Sequence, residues 1–332
     1  MSHRKLNSII IAIAASLCLI SCKDDDETKV APSLDGTLSF KAPAYVLPKT
    51  TITMTPSGIE HPDGESVGYY WKVTPGMTKT DTTRFLNGLD KNGNPSDGSF
   101  TYTFTDTLRT YTIQGYAFAK GYSYSVNSVK CTVVEGGIDK SITNLGLAGK
   151  PSATIDGKEY PYVTINGTDW LCRNISDESA GAPYDNYIAM SDVFGRYYSY
   201  EEALTICPEG WRLPTNDEWT AALAAHDNKI AALMGNGYFN DELMWEYWPA
   251  VGDINNASGL SLIPVGYSLL SSKATDPKQD AHIDGTYPQA QFRGYMEYAT
   301  FWTADLAKDE DGMAYYRYII CDQPEFMLGK GD

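Results

Sequence analysis

The sequence predicts two domains, an all-β sandwich followed by an α+β domain. The chain has 332 residues, of which 42% are hydrophobic and 20% charged, so it contains enough apolar sequence for more than one core. Short runs rich in Thr, Tyr, Val and Phe fill the first half between clusters of turn residues. The second half instead contains helix-start patterns, in which Ser or Thr is followed three residues later by Glu.

Residues 36–137 have the pattern of a small sandwich. About seven short strands in roughly 100 residues is the size of an immunoglobulin-like domain, and we expect Trp71 to lie in its core. The predicted strands are Leu38–Phe40, Thr51–Thr55, Gly68–Val73, Ser99–Phe104, Tyr111–Ala119 and Ser125–Val134.

The second half begins with two predicted β-turns, at Gly157 and Gly167. A first helix is predicted to start at Ser199, where Glu202 completes a capping box. A second box at Thr215 opens a helix that we expect to continue to Gly235, its stop signal. This mixture of hairpins and helices predicts an α+β fold.

The N-terminus resembles a bacterial lipoprotein signal. Basic residues precede an uncharged run over Ile9–Ile20, which is shorter than the ~20 residues needed to span a membrane. The run ends at Cys22 in the sequence LISC, which resembles the lipobox, whose cysteine is acylated; the alternative is an ordinary cleavage site. The sequence KDDDE that follows resembles the export signal of Bacteroidetes surface lipoproteins. These resemblances imply a signal peptide over 1–21, an acidic tether over 22–35, and a lipid-anchored outer-membrane protein facing the cell exterior.

Two family resemblances extend this prediction. The strand runs of residues 68–73, 100–104 and 111–117 resemble PKD-like domains of Bacteroidetes surface lipoproteins, which implies a spacer or interaction module. In the second half, four groups of residues form an ordered series of motifs. They are Asp169–Leu171 with Asn174, Cys207–Thr215 with Glu218 and Trp219, Asn256–Leu260 with Ile263–Tyr267, and Ala299–Ala304. Their order resembles the Fibrobacter succinogenes major paralogous domain, a branch of the C-type-lectin-like and formylglycine-generating-enzyme-like folds. This implies a linker over 138–152 and a C-type-lectin-like domain over 153–332.

Four cysteines follow Cys22, and their long, irregular spacings favour a disulfide over a zinc site. They are Cys131, Cys172, Cys207 and Cys321. Three pairings are possible, and the sequence does not choose among them. The family resemblance, which places a cysteine near the end of the last strand, implies a disulfide between Cys207 and Cys321.

The sequence does not predict an enzyme, a metal site or a cofactor. Ser66 lies in a G-x-S-x-G string, but a turn precedes it and a strand follows, whereas a nucleophile elbow needs a strand and then a helix. The neighbouring cysteine pair that formylglycine-generating enzymes use with copper and oxygen is missing. The adjacent carboxylates Glu201 and Glu202 point to different helix faces. The acidic run at 309–311 is the one candidate for a calcium ion, with a solvated turn as the alternative.

Charge excludes nucleic acid as a partner. Acidic residues outnumber basic ones 42 to 26, whereas phosphate binding requires an excess of Lys and Arg. Residues 138–332 hold 13 basic and 29 acidic side chains and so carry a net charge of −16 by themselves. Such a surface suits neutral glycans, cations or basic protein patches.

We therefore predict a non-catalytic binding module for glycan or protein ligands, acting in adhesion or nutrient capture. Its membrane contact is through the lipid anchor only. Aromatic faces and oxygen acceptors in the long loop region, about residues 238–298, predict the ligand site. The predicted ligand-binding residues are Trp245, Trp248, Asp253, Asn255, Tyr287, Arg293 and Glu297. Alternatively, the two tryptophans only seal the loop onto the domain. The alternative functions are a structural or tip subunit of a cell-surface appendage and, less supported, an oxidase resembling formylglycine-generating enzymes.

Overall fold

A computed structural model describes residues 30–78, 83–270, 290–308 and 312–331. Strands account for 39% of the structure and helices for 10%, so the prediction of a β-rich protein is confirmed. The predicted signal peptide and Cys22 lie outside the described residues, as do Tyr287 and the acidic run 309–311. Below, residues 30–137 are called the N-terminal half and residues 138–331 the C-terminal half.

The N-terminal half consists of a five-stranded sheet and two strand pairs. Its strands are β1 (Asp35–Ser39), β2 (Tyr45–Val46), β3 (Thr51–Met54), β4 (Ser57–Glu60), β5 (Gly68–Thr74), β6 (Thr83–Phe85), β7 (Phe100–Thr103), β8 (Thr110–Phe118) and β9 (Ser125–Val133). The large sheet has the order β2-β9-β8-β5-β6, and β1 pairs with β4 and β3 with β7. Every pair is antiparallel except β2 with β9. All six predicted strands are present, and the ones that prediction missed, β2, β4 and β6, have two to four residues.

Alternation along the strands builds the core of this half. Every second residue of β8 is buried, as expected for a strand with one solvated face. Trp71 on β5 is fully buried and its indole N–H donates to the Gly98 carbonyl at 2.8 Å, so its predicted core position is confirmed. Gly115 is the cross-strand partner of Trp71. A side chain at this position would not fit, because its Cβ would stand 2.9 Å from the indole ring.

The C-terminal half combines short strands with three short α-helices. Its first elements are β10 (Ile142–Thr143), β11 (Ser152–Ile155), β12 (Lys158–Ile165), β13 (Thr168–Leu171), β14 (Ala182–Pro183), α1 (Ser191–Phe194), β15 (Arg196–Tyr197), α2 (Tyr200–Thr205) and α3 (Asn216–Ala224). These are followed by β16 (Tyr238–Phe239), β17 (Glu242–Leu243), β18 (Tyr267–Leu270), β19 (Ala290–Arg293), β20 (Tyr298–Leu306), β21 (Ala314–Ile320) and β22 (Met327–Gly331). The strands form the sheets β10-β16-β17, β11-β12-β13, β14-β15, β18-β19 and β20-β21-β22. Across the four described ranges, no helix is long and apolar enough to cross a membrane.

The two predicted turns join β11 to β12 and β12 to β13. Asp156 and Gly157 both have positive φ, 50° and 76°, as a type I′ hairpin requires. Asn166 and Gly167 repeat this pattern at 52° and 80°. Both turn predictions are therefore confirmed.

Both predicted capping boxes are present, but the second helix is shorter than expected. Ser199 and Thr215 each accept a hydrogen bond from the backbone N–H of the Glu three residues later, whose side chain bonds back. Helix α3 ends at Ala224 rather than continuing to Gly235. The chain leaves the helical conformation at Asp227 and Asn228, both with φ 55°, before a 3₁₀ turn over Ile230–Ala232.

Two apolar clusters fill the C-terminal half, and one of them reaches the N-terminal half. Tyr45 on β2 packs against the Tyr187 ring, with centroids 5.5 Å apart, and against Phe239 at 6.5 Å. We call the cluster around these rings the seam; its buried members include Val134, Tyr187, Phe194 and Phe239. The predicted linker contributes to it, since Ile142, Leu145 and Leu147 of residues 138–152 are buried there.

Candidate binding cleft

The sheet β20-β21-β22 has one face in the core and the other toward an open cleft. On the core face, Ala299 and Ile319 pair across the strands and are both fully buried. Phe301 on the same face contacts the Trp219 ring of α3 at 5.4 Å. Because side chains alternate along a strand, Tyr298, Trp302 and their cross-strand neighbours lie on the opposite face.

Residues of that opposite face line a cleft of ≈ 1230 Å³, to which Phe301 and Trp219 also contribute from the core side. Across from it lie Ala203 of α2 and the segment Cys207–Pro214, which includes the half-buried Trp211. The aromatic residues of the sheet face and of β18 that line the cleft are Tyr267, Tyr298, Tyr318, Tyr316 and Trp302. All five are half-buried, and we call them the aromatic row.

The rings of the aromatic row form a continuous series. Successive ring centroids are 5.6 Å apart from Tyr267 to Tyr298 and 6.4 Å from Tyr298 to Tyr318. The separation is 5.7 Å from Tyr318 to Tyr316 and 5.8 Å from Tyr316 to Trp302. The row therefore has no gap in which a non-aromatic side chain separates two rings.

Glycines on β22 allow the rings to lie against the backbone. Gly329 is the cross-strand partner of Tyr316, and a Cβ at Gly329 would stand 2.3 Å from the phenol carbon Cζ. A Cβ at Gly331 would stand 3.2 Å from the Trp302 ring. The Tyr316 ring thus lies across β22 where Gly329 has no side chain, and Tyr316 lines the cleft.

Hydrogen bonds fix the Trp302 end of the row. The Trp302 indole N–H donates to the Tyr198 carbonyl at 2.9 Å. The neighbouring Tyr200 hydroxyl donates to the Ala304 carbonyl at 3.2 Å, and the Tyr200 ring meets Trp302 at 5.5 Å. A ring held in this way loses little conformational entropy when a ligand binds.

The row is uncharged and has carboxylates near one end. Burial raises the pKa of Tyr316 and of Tyr298, so both phenols are neutral at pH 7 and retain their hydroxyl donors. The nearby carboxylates of Glu297 and Asp322 add to the rise in the Tyr298 pKa. These observations describe a neutral, aromatic surface with hydroxyl donors, next to negative charge.

A family model matches residues 156–323, just over half of the chain, and its description is the Fibrobacter succinogenes major domain. The chain belongs to this family. The match confirms the resemblance inferred from the Cys207–Thr215 motif, and it contains all of the aromatic row. No curated protein matches the chain. Among solved structures, a superoxide reductase (neelaredoxin) from Ignicoccus hospitalis aligns with a TM-score of 0.21 and 10% identity, covering 30% of this chain and 80% of that one. At that score the likeness supports no conclusion.

Trp245, in the Fibrobacter succinogenes major domain, is not a ligand-binding residue as predicted. Its side chain is fully buried in the main core, and its indole N–H donates to the Leu262 carbonyl at 3.0 Å. No ligand on the surface can contact it. Its burial supports the alternative interpretation, in which this tryptophan fixes the loop to the domain.

The other predicted ligand residues that the structure describes, Trp248, Asp253, Asn255, Arg293 and Glu297, do not line the cleft. Trp248 is 38% exposed and hydrogen-bonds with the Cys321 side chain. The Glu297 carbonyl accepts the Cys321 backbone N–H at 2.9 Å, so Trp248 and Glu297 are brought together around this cysteine. The Asn255 side chain instead accepts the Ala257 N–H of its own turn at 3.0 Å.

Asp253 and Arg293 are exposed, and no contact among the described residues joins them to Trp248. Arg293 lies on β19, where its guanidinium donates to the Gln291 side chain at 3.4 Å. The described members of the predicted set are therefore dispersed over a loop, a strand and the core. Sequence reasoning missed the aromatic row, although alternate Tyr and Trp residues in β20 and β21 are its signal.

The predicted disulfide is also absent, because the two thiols have different surroundings. Cys207 lines the cleft, and its Sγ donates to the Ala203 carbonyl at 3.2 Å. Cys321 is buried in the main core beside Trp248. Cys131 and Cys172 are likewise free and buried, and burial raises their pKa values to about 12 and about 11. No group of three potential metal ligands is found within the described ranges.

Proposed function

We propose that the protein is a non-catalytic module that binds a glycan on the aromatic row. The observation that carries this proposal is the Tyr316 ring, which lies across Gly329 and lines the cleft. Its ring neighbours Tyr318 and Trp302 continue this surface on both sides.

The chemistry of the row fits a sugar better than it fits an apolar ligand. Sugar rings present C–H faces that pack on aromatic rings, and their hydroxyls need hydrogen-bond partners at the same time. The neutral phenols of Tyr298 and Tyr316 supply both a ring and a hydroxyl. A cleft of ≈ 1230 Å³ has room for more than a single sugar unit.

The wider setting is part of the same proposal. Acylation of Cys22 would hold the protein at the outer membrane, facing the cell exterior, and the acidic tether would separate it from the lipid. The N-terminal half would serve as an immunoglobulin-like, PKD-like spacer. The C-terminal half would be a C-type-lectin-like head that presents the cleft. The lipobox sequence, the paired strand layers and the family membership support this arrangement.

A glycan-array screen of the purified protein with two matched variants tests the proposal. Tyr316→Ala removes a ring from the row, whereas Tyr315→Ala removes a ring from the other face of the same strand. An aromatic contact contributes about 1 kcal/mol beyond its buried area, so we expect Tyr316→Ala to weaken glycan binding roughly tenfold and Tyr315→Ala to leave it unchanged. Equal binding by both variants, or an array without any bound glycan, would contradict the proposal. Circular dichroism of each variant checks that it is folded.

A further inference from the structure

We infer that the cleft binds an extended, uncharged glycan chain, with several consecutive sugar units in contact at once. This inference rests on the proposed function, and it names the class of ligand. A site for a single sugar needs only one aromatic side chain with polar groups around it. Here five aromatic rings follow one another along the face of one sheet and the adjoining β18.

The direction of the row is set by the strands. Tyr298, Thr300 and Trp302 are alternate residues of β20 and therefore share a face. Four residues of extended strand span about 13 Å at about 3.3 Å per residue. Tyr267 extends the row beyond Tyr298 by a further centroid separation of 5.6 Å. A linear ligand parallel to β20 would meet successive rings, whereas a single sugar would cover one or two of them.

The cross-strand register places Tyr318 and Tyr316 on β21, beside the line of β20 residues and on the same face. Thr300 is opposite Tyr318 and Trp302 is opposite Tyr316, without a bulge between these pairs. The Thr300 side chain lines the cleft and adds an aliphatic hydroxyl between aromatic neighbours. Thr300 and the phenols of the row thus place hydroxyl groups beside the rings, where the hydroxyls of a sugar chain can bond with them.

The charges near the row select against acidic sugars. Arginines that line the cleft are already bonded within the protein: Arg196 donates to the Ala180 and Gly181 carbonyls and Arg173 to those of Glu159 and Asp192. On the wall across the cleft, the guanidinium of Arg212 is engaged by Glu218, with Nη1 and Oε2 2.8 Å apart. Charges within the ~8 Å Debye length of physiological salt remain unscreened. A chain of uronic acids would therefore bring carboxylates beside carboxylates, while a neutral chain would not.

Isothermal titration with oligosaccharides of defined length tests this inference. The probes are cello-, xylo-, manno- and malto-oligosaccharides of one to six units, with oligogalacturonides of the same lengths. For at least one neutral series we expect affinity to rise at least tenfold between one and four units and then to level off. Four-unit oligogalacturonide should bind at least tenfold more weakly than the neutral tetramer.

Variants at the ends of the row give a second readout. Tyr267→Ala and Trp302→Ala should each weaken tetramer binding severalfold while changing disaccharide binding less, and Tyr315→Ala should change neither. A monosaccharide that binds as tightly as its tetramer, or a tighter oligogalacturonide, would overturn the inference while the proposed function stands. If none of the neutral series binds, the inference fails, and the glycan array then decides the proposed function separately.

Discussion

Four buried tryptophans differ in what their indole N–H groups contact. The groups of Trp71 and Trp245 donate to backbone carbonyls, whereas those of Trp170 and Trp219 have no acceptor among the residues that the structure describes. A hydrogen bond that is made contributes about 1 kcal/mol to stability, while a buried donor without a partner costs free energy. Four side chains of one type therefore contribute unequally.

This difference gives a matched pair of variants. Replacing Trp by Phe removes a similar volume at two fully or almost fully buried sites, Trp245 and Trp219. Only Trp245→Phe also loses a hydrogen bond, so we expect its free energy of unfolding to fall by about 1 kcal/mol more than that of Trp219→Phe. Urea unfolding measures both. A larger loss of unfolding free energy in Trp219→Phe than in Trp245→Phe would contradict this, and would show that ring packing outweighs the hydrogen bond of the N–H group.

A second prediction at this scale concerns Gly329. Its φ is not in the left-handed region, so Ala fits the backbone there, but the added Cβ would meet the Tyr316 ring. We expect Gly329→Ala to fold, to displace this ring and to weaken glycan binding toward the level of Tyr316→Ala. Leu328→Ala, a change at the neighbouring exposed position, is the control. Titration with the glycan found by the array measures the effect, and unchanged affinity in Gly329→Ala would be the contrary result.

Sequence reasoning identified Trp71 as a core residue but assigned Trp245 to the surface. Trp71 stands in an alternating strand, where the period of the pattern shows which residues face inward. Trp245 stands in a segment without a period, so composition was the only guide, and aromatic composition is shared by binding loops and by loops that pack onto a core. Its burial depends on contacts such as that with Leu262, which no local pattern reveals.

At the scale of elements, the α3 capping box is joined to an ion pair. The Glu218 carboxylate accepts hydrogen bonds from the Thr215 N–H and from Arg212, each at 2.8 Å. The Arg212 hydrogen bond is the main reason that the Glu218 pKa falls from 4.5 to about 2. One side chain thus closes the helix start and holds the Cys207–Pro214 segment, which forms a wall of the cleft.

This gives a pH prediction. A carboxyl whose pKa is lower in the folded state contributes stability that is fully present above its ordinary value, and that contribution is lost as pH falls through the folded value. For Glu218 the window runs from 4.5 down to about 2. We expect Glu218→Gln to reduce stability at neutral pH and to flatten the acid dependence in this window, measured by thermal unfolding at several pH values. The exposed Glu209→Gln is the control, and parallel pH curves for Glu218→Gln and the unmodified protein would contradict the assignment.

Elements were predictable where local chemistry decides them. The Asp156-Gly157 turn, the Asn166-Gly167 turn and both capping boxes were predicted because each depends on a few adjacent residues. Two-residue strands such as β10 and β16 were not, since they are defined by pairing between segments far apart in the sequence. The end of α3 was missed because the left-handed pair Asp227-Asn228 outweighs the apolar residues beyond it.

At the scale of the whole molecule, the seam makes the two halves depend on each other. Tyr45 from the N-terminal half packs among Tyr184, Tyr187 and Phe239 of the C-terminal half. The side chain of Asn240 also donates a hydrogen bond to that of Thr110. Order along the chain was predictable from the motifs, but this contact was not, because it joins residues far apart in sequence.

We therefore expect the described chain to unfold in one cooperative transition. Tyr45→Ala removes a large ring from the seam and should lower the free energy of unfolding by about 3 kcal/mol or more. Because the halves would then be less strongly coupled, we expect two unfolding transitions in place of one. Tyr124→Ala, at a 64% exposed ring of the N-terminal half, is the matched control. Calorimetry measures both proteins. Two transitions already present in the unmodified protein would show that the seam does not couple the halves.

Under the proposed function, the seam would also determine how the molecule bears mechanical load. A glycan held in the cleft and a lipid anchor at the N-terminus of the protein would pull in opposite directions. Residues 138–152 would not extend as a flexible linker, because their apolar side chains are packed in the seam. The tension would instead fall on interlocked aromatic side chains, whose short-range packing resists small displacements and then yields abruptly. A protein attached in this way would keep its two halves packed together at low shear force, and the halves would separate in a single step at high force.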